Sequence, residues 1–338
     1  MEGMTSYDAL LLVSFGGPEG PQDVMPFLEN VTRGRNVPRR RLEEVAEHYY
    51  HFGGVSPIND HCRRLKAAIE ADFAAHGLDL PVYWGNRNWT PYLTDTVRQM
   101  AADGVRRAAA FVTSAYSGYS SCGQYRDDIA RAREQVPGAP EIDKLRVYYN
   151  HPGFVEPFVE ATRAALDRLP AGLRQAAHLA FTAHSVPLAQ PGRERYAAEL
   201  ADITEVVAER AAPGHERALV YQSRSGPPTQ PWLEPDICDH LRKLHAARTE
   251  AVVVVPIGFV SDHMEVKYDL DVEAAAVAAE LGLAFERAAT PGTHPAYVAM
   301  VRQLLTERMA GPGAERPALG ALGARPDDCP EECCRARR

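Results

Sequence analysis

Short apolar runs alternate with amphipathic stretches along the chain. The apolar runs are rich in branched residues and show little alternation with polar positions, which is typical of strands covered on both faces, as in a parallel sheet. The stretches between them have helical spacing, as in HCRRLKAAIEADFAAHG and YLTDTVRQMAADG. The runs predict eight strands, at residues 8–15, 81–86, 106–115, 145–150, 178–185, 217–223, 250–260 and 284–288.

Eight strands at this spacing predict an α/β protein with two doubly wound, Rossmann-like domains, each holding a four-stranded parallel sheet. The alternative is one (β/α)8 barrel, but the uneven spacing and the long helical stretch at 20–77 favour two domains. The chain has 338 residues, which is long for a single core. We expect an N-terminal domain at 1–150, a C-terminal domain at 151–310, and a linker with a cysteine-bearing tail at 311–338.

Composition and charge narrow the class of protein. Hydrophobic residues make up 45% and charged residues 24%, as in a globular protein, and the net charge of -8 argues against a broad nucleic-acid surface. No apolar run reaches the roughly 18 residues of a membrane helix. The N-terminus, MEGMTSYDALLLVSFGG, has an acidic residue where a signal peptide is basic, so we interpret it as a first strand. We expect a cytoplasmic monomer.

Ligands of open α/β sheets bind beyond the carboxyl ends of the strands, and polar residues gather there in this sequence. His184 ends the fifth predicted strand, in FTAHSVP. It is either a structural histidine or a base at the mouth of a cleft, and its position favours the second. FGGPEG follows the first strand but lacks both the GxxxxGK[ST] and GxGxxG patterns. Its glycines would let the backbone approach a flat ligand.

The seventh strand leads into SDHMEVKYDLDVE, which is rich in carboxylates. A helix at 262–275 would place Glu265, Asp269 and Glu273 on one face. Such a run is either a solvated helix face or a hydrophilic track for a hard or borderline cation. The buried strand before it favours the track.

Arginines cluster in NVTRGRNVPRRRLEE, which contains Arg33 and Arg35. They indicate either carboxylates or phosphates on a partner, or a basic helix start balanced by Glu43 and Glu44; the sequence leaves both open.

Three of the six cysteines lie in the last ten residues, as a C-x3-C-C group. Soft sulfur ligands in this pattern suggest zinc or an iron–sulfur cluster, with a fourth ligand from the body of the protein. Cys122, in a glycine- and serine-rich loop, is the most available internal cysteine, whereas Cys62 and Cys238 fit a core role.

Four motifs together resemble the ferrochelatase family: GGVSPIN at 53–59, FTAHSVP, QPWLEPD at 230–236 and GFVSDHMEVKYDLDVE. Their order and spacing match over roughly residues 7–310. The resemblance implies two similar four-stranded domains around a porphyrin cleft. It implies insertion of ferrous iron into a porphyrin, with loss of two pyrrole protons.

The same resemblance assigns roles to the acid/base residues. His184 would accept pyrrole protons, and Glu265 would handle iron or protons with it. His263 would orient or tune Glu265. Asp269 and Glu273 would continue the track by which metal arrives or protons leave.

The sequence resembles the actinobacterial branch of the family, which implies coproporphyrin III as the substrate in preference to protoporphyrin IX. Substrate contacts are expected from Phe15, Arg33, Ser56, Arg87 and Tyr125. Many bacterial relatives have tyrosine at the first of these positions, and a phenyl ring there can pack but cannot ligate iron. Arg87 stands where some relatives have lysine.

The late cysteines resemble the [2Fe–2S] motif of some family members, which implies cluster ligation by Cys122, Cys329, Cys333 and Cys334. Alternatives remain: a protoporphyrin IX ferrochelatase, a chelatase for another metal such as cobalt and another tetrapyrrole, a haem or porphyrin carrier, and an iron–sulfur sensor on an inactive scaffold. Transient contacts with neighbouring haem-pathway enzymes are also expected.

Overall fold

A computed structural model describes residues 5–226, 229–328 and 333. It contains two four-stranded sheets, and every strand pair in them is parallel. The first sheet has the order β2-β1-β3-β4 and the second β6-β5-β7-β8. The strands are β1 (Ala9–Ser14), β2 (Val82–Asn86), β3 (Arg107–Val112), β4 (Glu141–Lys144), β5 (His178–His184), β6 (Arg217–Gln222), β7 (Ala251–Val255) and β8 (Ala284–Arg287).

Helices connect successive strands, as parallel pairing requires. They are α1 (Pro21–Val31), α2 (Arg39–His51), α3 (Ile58–Ala75), α4 (Leu93–Ala102), α5 (Gln124–Glu134), α6 (Pro152–Arg168), α7 (Arg193–Ala211), α8 (Ile237–Ala246), α9 (Ala275–Glu280) and α10 (Pro295–Ala310). Two π-helices, Tyr119–Gly123 and Val266–Ala274, and a short 3-10 helix, Arg174–Ala176, complete the regular structure. Within the described residues, no helix is long and apolar enough to cross a bilayer.

Both sheets have the same doubly wound topology, which confirms the predicted fold class. In each sheet, the chain passes from the first strand to a neighbour at one edge and then crosses to the opposite side of the first strand. The central strands are fully buried, ALLLVS in β1 and AVVVV in β7, because helices cover both faces. The direction of winding reverses between β1 and β3 and between β5 and β7. Ligands of such sheets bind at these reversal points.

The fourth strand lies at a different place from the prediction. The apolar run at 145–150 is not a strand; β4 is the preceding polar segment EIDK. β4 is an edge strand with partly exposed side chains, so apolar periodicity does not mark it. The apolar run is buried instead by aromatic packing, in which the Tyr148 ring lies 5.7 Å from that of Phe154 and 6.1 Å from that of Tyr297.

The chain divides into two compact units. The first comprises residues 1–113, 124–145 and 301–315. The second comprises residues 114–123, 146–300 and 316–338. The division into domains at 1–150 and 151–310, with a linker and tail at 311–338, stays a prediction.

The segment after α10 has no helix or strand over residues 316–328, as its composition predicts, but it is docked on the second unit. The backbone N–H of Leu319 donates to the Asn150 carbonyl at 2.8 Å, and the Asn150 amide donates to the Gly323 carbonyl at 2.7 Å. The N–H of Ala321 donates to Asp202 of α7 at 2.8 Å. The tail is therefore a strap with defined contacts, for which we use the name C-terminal strap.

Candidate active site

His184 lies at the carboxyl end of β5, beside the reversal point of the second sheet. It pairs in register with Gln222 of β6. Its Nδ1 lies 2.5 Å from the carbonyl oxygen of Ser185, so Nδ1 carries a proton and donates it. Tyr196 of α7 donates to the His184 carbonyl at 3.1 Å. These contacts hold the ring, and Nε2 is the nitrogen that gains and loses a proton.

The loop after β7 brings the acidic segment close to β5. Pro256 has no N–H, so the strand ends before it. The N–H of Gly258 then donates to the Thr182 carbonyl at 3.0 Å. A Cβ at this glycine would lie 2.7 Å from the Cα of Ala183, so only glycine allows this approach without a shift.

Glu265 is the acidic residue that reaches His184. Its Oε1 lies 3.5 Å from Nε2 of the imidazole. Its backbone N–H donates to Nδ1 of His263 at 3.2 Å, and the His263 ring packs edge-on against Phe259 at 5.0 Å. The His263 ring thus contacts the Glu265 backbone, and its role in orienting or tuning the carboxylate stays a prediction.

The two side chains stabilise each other's charged forms. Burial opposes ionisation of the imidazole, but attraction and hydrogen bonding to Glu265 outweigh it and set the pKa of His184 well above its usual range. Burial would likewise raise the pKa of Glu265, but the imidazolium lowers it well below its usual range. The side chains are 36% and 49% exposed, so solvent weakens the attraction without changing its sign. At neutral pH the resting pair is imidazolium and carboxylate.

Asp269 lies one turn beyond Glu265 and is held by β6 and the residue after it. Ser223 donates from its hydroxyl to Oδ2 of Asp269, and the Gln222 amide donates to the same oxygen at 3.3 Å. The Gln222 amide also reaches the Glu265 carbonyl at 3.3 Å. Burial and the neighbouring Glu265 carboxylate raise the pKa of Asp269 to about 7. Burial also raises the pKa of Glu273.

The acidic segment is a π-helix over Val266–Ala274 and not the regular helix expected at 262–275. Such helices are rare and are frequent at functional sites. No group of three or more His, Cys, Asp or Glu side chains converges into a metal site in the part of the chain that the structure describes. The transit role of Asp269 and Glu273 stays a prediction.

Three polar residues of this region were not identified as site residues from the sequence. In QSRSG, Gln222 ends β6 and Ser223 follows it, a position that could have indicated both residues. Arg287 gave no signal, because its partners Asp262 and Asp271 are distant in the chain. Its Nη1 lies 3.1 Å from Asp262, and its Nε lies 2.5 Å from Asp271.

Three expected substrate contacts form one cluster in the first unit. The Arg87 guanidinium stacks 4.6 Å from the ring centre of Tyr125 and 5.8 Å from that of Phe15. It also pairs with Asp128 at 2.5 Å, and its side chain is only 8% exposed. Phe15 packs edge-on against Phe27 at 6.2 Å, and its contact with the substrate stays a prediction.

Ser56 and Arg33, also of the first unit, have different surroundings. Ser56 is buried beside the glycine turn, and a Cβ at Gly17 would lie 2.6 Å from its Cβ. Gly17 therefore makes room for the Ser56 side chain, and the approach of this turn to a flat ligand stays a prediction. Arg33 and Arg35 are exposed after α1.

Two of the four predicted cluster cysteines are described, and the backbone of one of them, Cys333, lies near the residue that precedes α7. Cys122 is buried in the short π-helix before α5. A Cβ at Gly192, which precedes α7, would lie 3.3 Å from the Cα of Gly118 and 3.7 Å from the Cys333 carbonyl oxygen. The loop that leads to Cys122 and the backbone of Cys333 thus meet at the same turn.

Arg195 of α7 contacts the sulfur of Cys333, with 2.6 Å between Nη1 and Sγ. Cys329 and Cys334 lie outside the described residues.

Solved structures identify the fold first. The fold is that of the chelatases: it matches the sirohydrochlorin chelatase SirB of Bacillus subtilis subspecies spizizenii with a TM-score of 0.53, at 12% identity, over 91% of this chain and 97% of that one. At that identity the match concerns the fold alone.

The sequence defines the family. The family model for ferrochelatase matches residues 7–309. The chain is 55% identical to the coproporphyrin III ferrochelatase of Streptomyces griseus subsp. griseus, over 98% of this chain and 94% of the relative. It is 52% identical to a ferrochelatase of Rhodopirellula baltica, over 99% and 95%. The chain belongs to the ferrochelatase family.

Proposed function

We propose that this protein inserts ferrous iron into coproporphyrin III to give Fe-coproporphyrin, a step of haem biosynthesis. The observation that carries the proposal is the His184–Glu265 pair at the reversal point of the second sheet. Relatives with the same length and about half of their residues in common are named for this reaction. Cytoplasmic location, a monomeric state and contacts with other haem-pathway enzymes stay predictions.

The chemistry requires an acceptor for two pyrrole protons. His184 can accept a proton only at Nε2, because Nδ1 already donates to Ser185. In the resting pair Nε2 is protonated. Ferrous iron that approaches Glu265 would replace the imidazolium as the partner of the carboxylate and so lower the pKa of His184. Once Nε2 has lost its proton, it can accept one from the porphyrin.

Asp269 suits the next step of the proton path. With a pKa of about 7, its carboxyl can take up and release a proton near neutral pH. Ser223 and Gln222 fix its position, and Glu273 lies one further turn along the π-helix. We propose that protons leave, and iron arrives, along these carboxylates.

The residues expected to bind the porphyrin differ in their exposure. Arg33 has the exposed guanidinium that pairs well with a propionate, and Arg35 lies beside it. Arg87 is engaged by Asp128, so its role would be to fix the rings of Phe15 and Tyr125. Ser56 and Tyr125 are buried, and they would contact propionates only through a local shift of their surroundings.

We further propose that Cys122, Cys329, Cys333 and Cys334 hold a [2Fe–2S] cluster. Thiolates are its usual ligands, and the common turn that brings Cys333 near the Cys122 loop supports the assignment. When bound, such a cluster supplies one-electron redox chemistry. Cys333→Ser should abolish the cluster's visible absorbance, and Cys238→Ser serves as the control. A normal spectrum in Cys333→Ser would exclude that residue as a ligand.

Turnover tests the enzyme assignment directly. Purified protein is mixed anaerobically with ferrous iron and coproporphyrin III while the Soret band is followed. His184→Ala should lower turnover roughly hundredfold, the usual contribution of a general base, and leave porphyrin affinity nearly unchanged. His240→Ala is the control, because His240 contacts His178, at 3.1 Å, at the opposite end of β5 from His184. Normal turnover in His184→Ala would exclude that residue as the base.

A further inference from the structure

One guanidinium holds two carboxylates of the acidic segment. Arg287 donates from Nη1 and Nη2 to the two carboxylate oxygens of Asp262 at 3.1 and 3.2 Å. It donates from Nε and Nη2 to those of Asp271 at 2.5 and 3.0 Å. The Arg287 side chain is only 14% exposed. The guanidinium therefore forms two bidentate pairs that solvent reaches little.

The two carboxylates bracket the proposed catalytic residues. Asp262 precedes Glu265 by three residues, and Asp271 follows Asp269 by two. Thr290 also donates to Asp262, at 3.0 Å. A π-helix has little intrinsic stability, so its geometry depends on tertiary contacts of this kind.

Arg287 is itself well anchored. It is the last residue of β8 and pairs in register with Val254 of β7. Its carbonyl accepts a hydrogen bond from Arg168 of α6 at 2.7 Å. The guanidinium thus connects the acidic segment to the carboxyl edge of the same sheet that carries His184.

We propose that Arg287 is a positioning residue for metal insertion, which fixes the π-helix so that Glu265 faces His184 and Asp269 faces Ser223. The inference rests on the proposed function. Arg287 need not touch substrate. It acts through Asp262 and Asp271, the two carboxylates that it binds, and leaves the other carboxylates of the segment for protons and iron.

The planar geometry of the Arg287 guanidinium matters as much as its charge. A guanidinium presents donors in a fixed plane and can serve both carboxylates at once, whereas an ammonium is a point charge on a flexible stem. Arg287→Lys should therefore keep the fold and lose part of kcat. Arg287→Met should lose more, roughly tenfold to hundredfold, because small displacements of catalytic groups have effects of this size. KM for porphyrin should stay nearly unchanged in both.

A triple variant, Arg287→Met with Asp262→Asn and Asp271→Asn, separates positioning from charge compensation. It removes both carboxylates together with the guanidinium, so neither negative charge is left unpaired. Its thermal stability should therefore recover toward that of the wild type. Its kcat should stay low, because the connection to β8 is still missing. Arg217→Met is the matched control: Arg217 also bridges two carboxylates, Glu205 and Glu209, but at the opposite end of β6.

The experiment measures kcat, KM for porphyrin and melting temperature for the wild type and these variants, in anaerobic turnover. The proposal expects low kcat with unchanged KM in Arg287→Met and in the triple variant, and normal kcat in Arg217→Met. Wild-type kcat in Arg287→Met would overturn it. If Arg287→Met does not fold, wild-type kcat in the triple variant would overturn it instead. Absence of turnover in the wild type would refute the proposed function and not this inference alone.

Discussion

Replacing Glu265 by glutamine should lower the pKa of His184. The amide has the size of the carboxylate but no charge, so it removes the attraction that keeps the imidazole protonated. Burial, which disfavours the imidazolium, is then opposed only by the hydrogen bond to the Ser185 carbonyl and the attraction of Asp269. The pKa should fall from above neutrality to about its ordinary value of 6.5 or below.

The size of the shift follows from the separation of the two side chains. Charges 3.5 Å apart attract by about 1 kcal/mol in bulk water and by about 5 kcal/mol at an effective dielectric constant of 20. A pair this exposed lies between these limits, at roughly 2 kcal/mol. That energy corresponds to a shift of about 1.5 pKa units.

NMR titration of histidine-labelled protein without iron or porphyrin measures the pKa directly. The His184 resonance is assigned from its loss in His184→Ala. The account predicts a pKa above 7 in the wild type and a decrease of at least about one unit in Glu265→Gln. Equal values in both proteins, or a wild-type value below 6.5, would refute the reasoning.

The same pair makes stability depend on pH. The raised pKa of His184 contributes stability that is fully present below its ordinary value of 6.5 and is lost as the pH rises through the raised pKa. The lowered pKa of Glu265 contributes stability that is present above 4.5 and is lost as the pH falls through the lowered pKa. The difference in unfolding free energy between wild type and Glu265→Gln should therefore be largest between pH 4.5 and 6.5.

Two further substitutions test the surroundings of the pair. Asp269→Asn should reduce kcat roughly hundredfold in the turnover assay, because an amide cannot relay a proton. The control is Asp239→Asn, at a side chain 66% exposed, which should leave kcat unchanged. Equal rates in the two variants would exclude Asp269 from the proton path. Gly258→Ala should lower the free energy of unfolding by about 1–3 kcal/mol in urea titration, because its Cβ would overlap Ala183. Gly172→Ala, where a Cβ meets open space, should be neutral, and equal stabilities of the two glycine variants would contradict the packing argument.

Strand positions could be predicted where burial on both faces produces an unbroken apolar run. ALLLVS and AVVVV occupy central strands, and both lie within the predicted ranges. EIDK could not be found in this way, because an edge strand exposes polar side chains. The apolar run after it is buried outside any sheet, and a hydrophobic pattern alone does not distinguish these two forms of burial.

The sequence indicates that His184 and Glu265 lie at the same edge of a sheet, but it does not indicate their separation. His184 ends β5 and Glu265 lies in the segment that follows β7, so their gathering at one edge of a sheet could be expected. Their separation of 3.5 Å depends on the approach of Gly258 to Ala183, which no local pattern indicates. The π-helix and its connection to Arg287 likewise depend on contacts between residues far apart in the chain.

The C-terminal strap shows the limits of composition. Gly, Pro and Ala predict the lack of helix and strand over residues 316–328, and the structure agrees. Composition does not indicate the polar contacts with Asn150 and Asp202 that dock the strap, because the partners lie more than a hundred residues away.

Side-by-side anaerobic metallation tests the central claim most directly. Coproporphyrin III and protoporphyrin IX are offered with ferrous iron to the same purified protein, and the Soret band reports the rate for each. The account predicts insertion of iron, with coproporphyrin III metallated faster. Faster metallation of protoporphyrin IX would contradict the assigned substrate, and tight binding of both porphyrins without metallation would contradict the assignment as an enzyme and indicate a carrier.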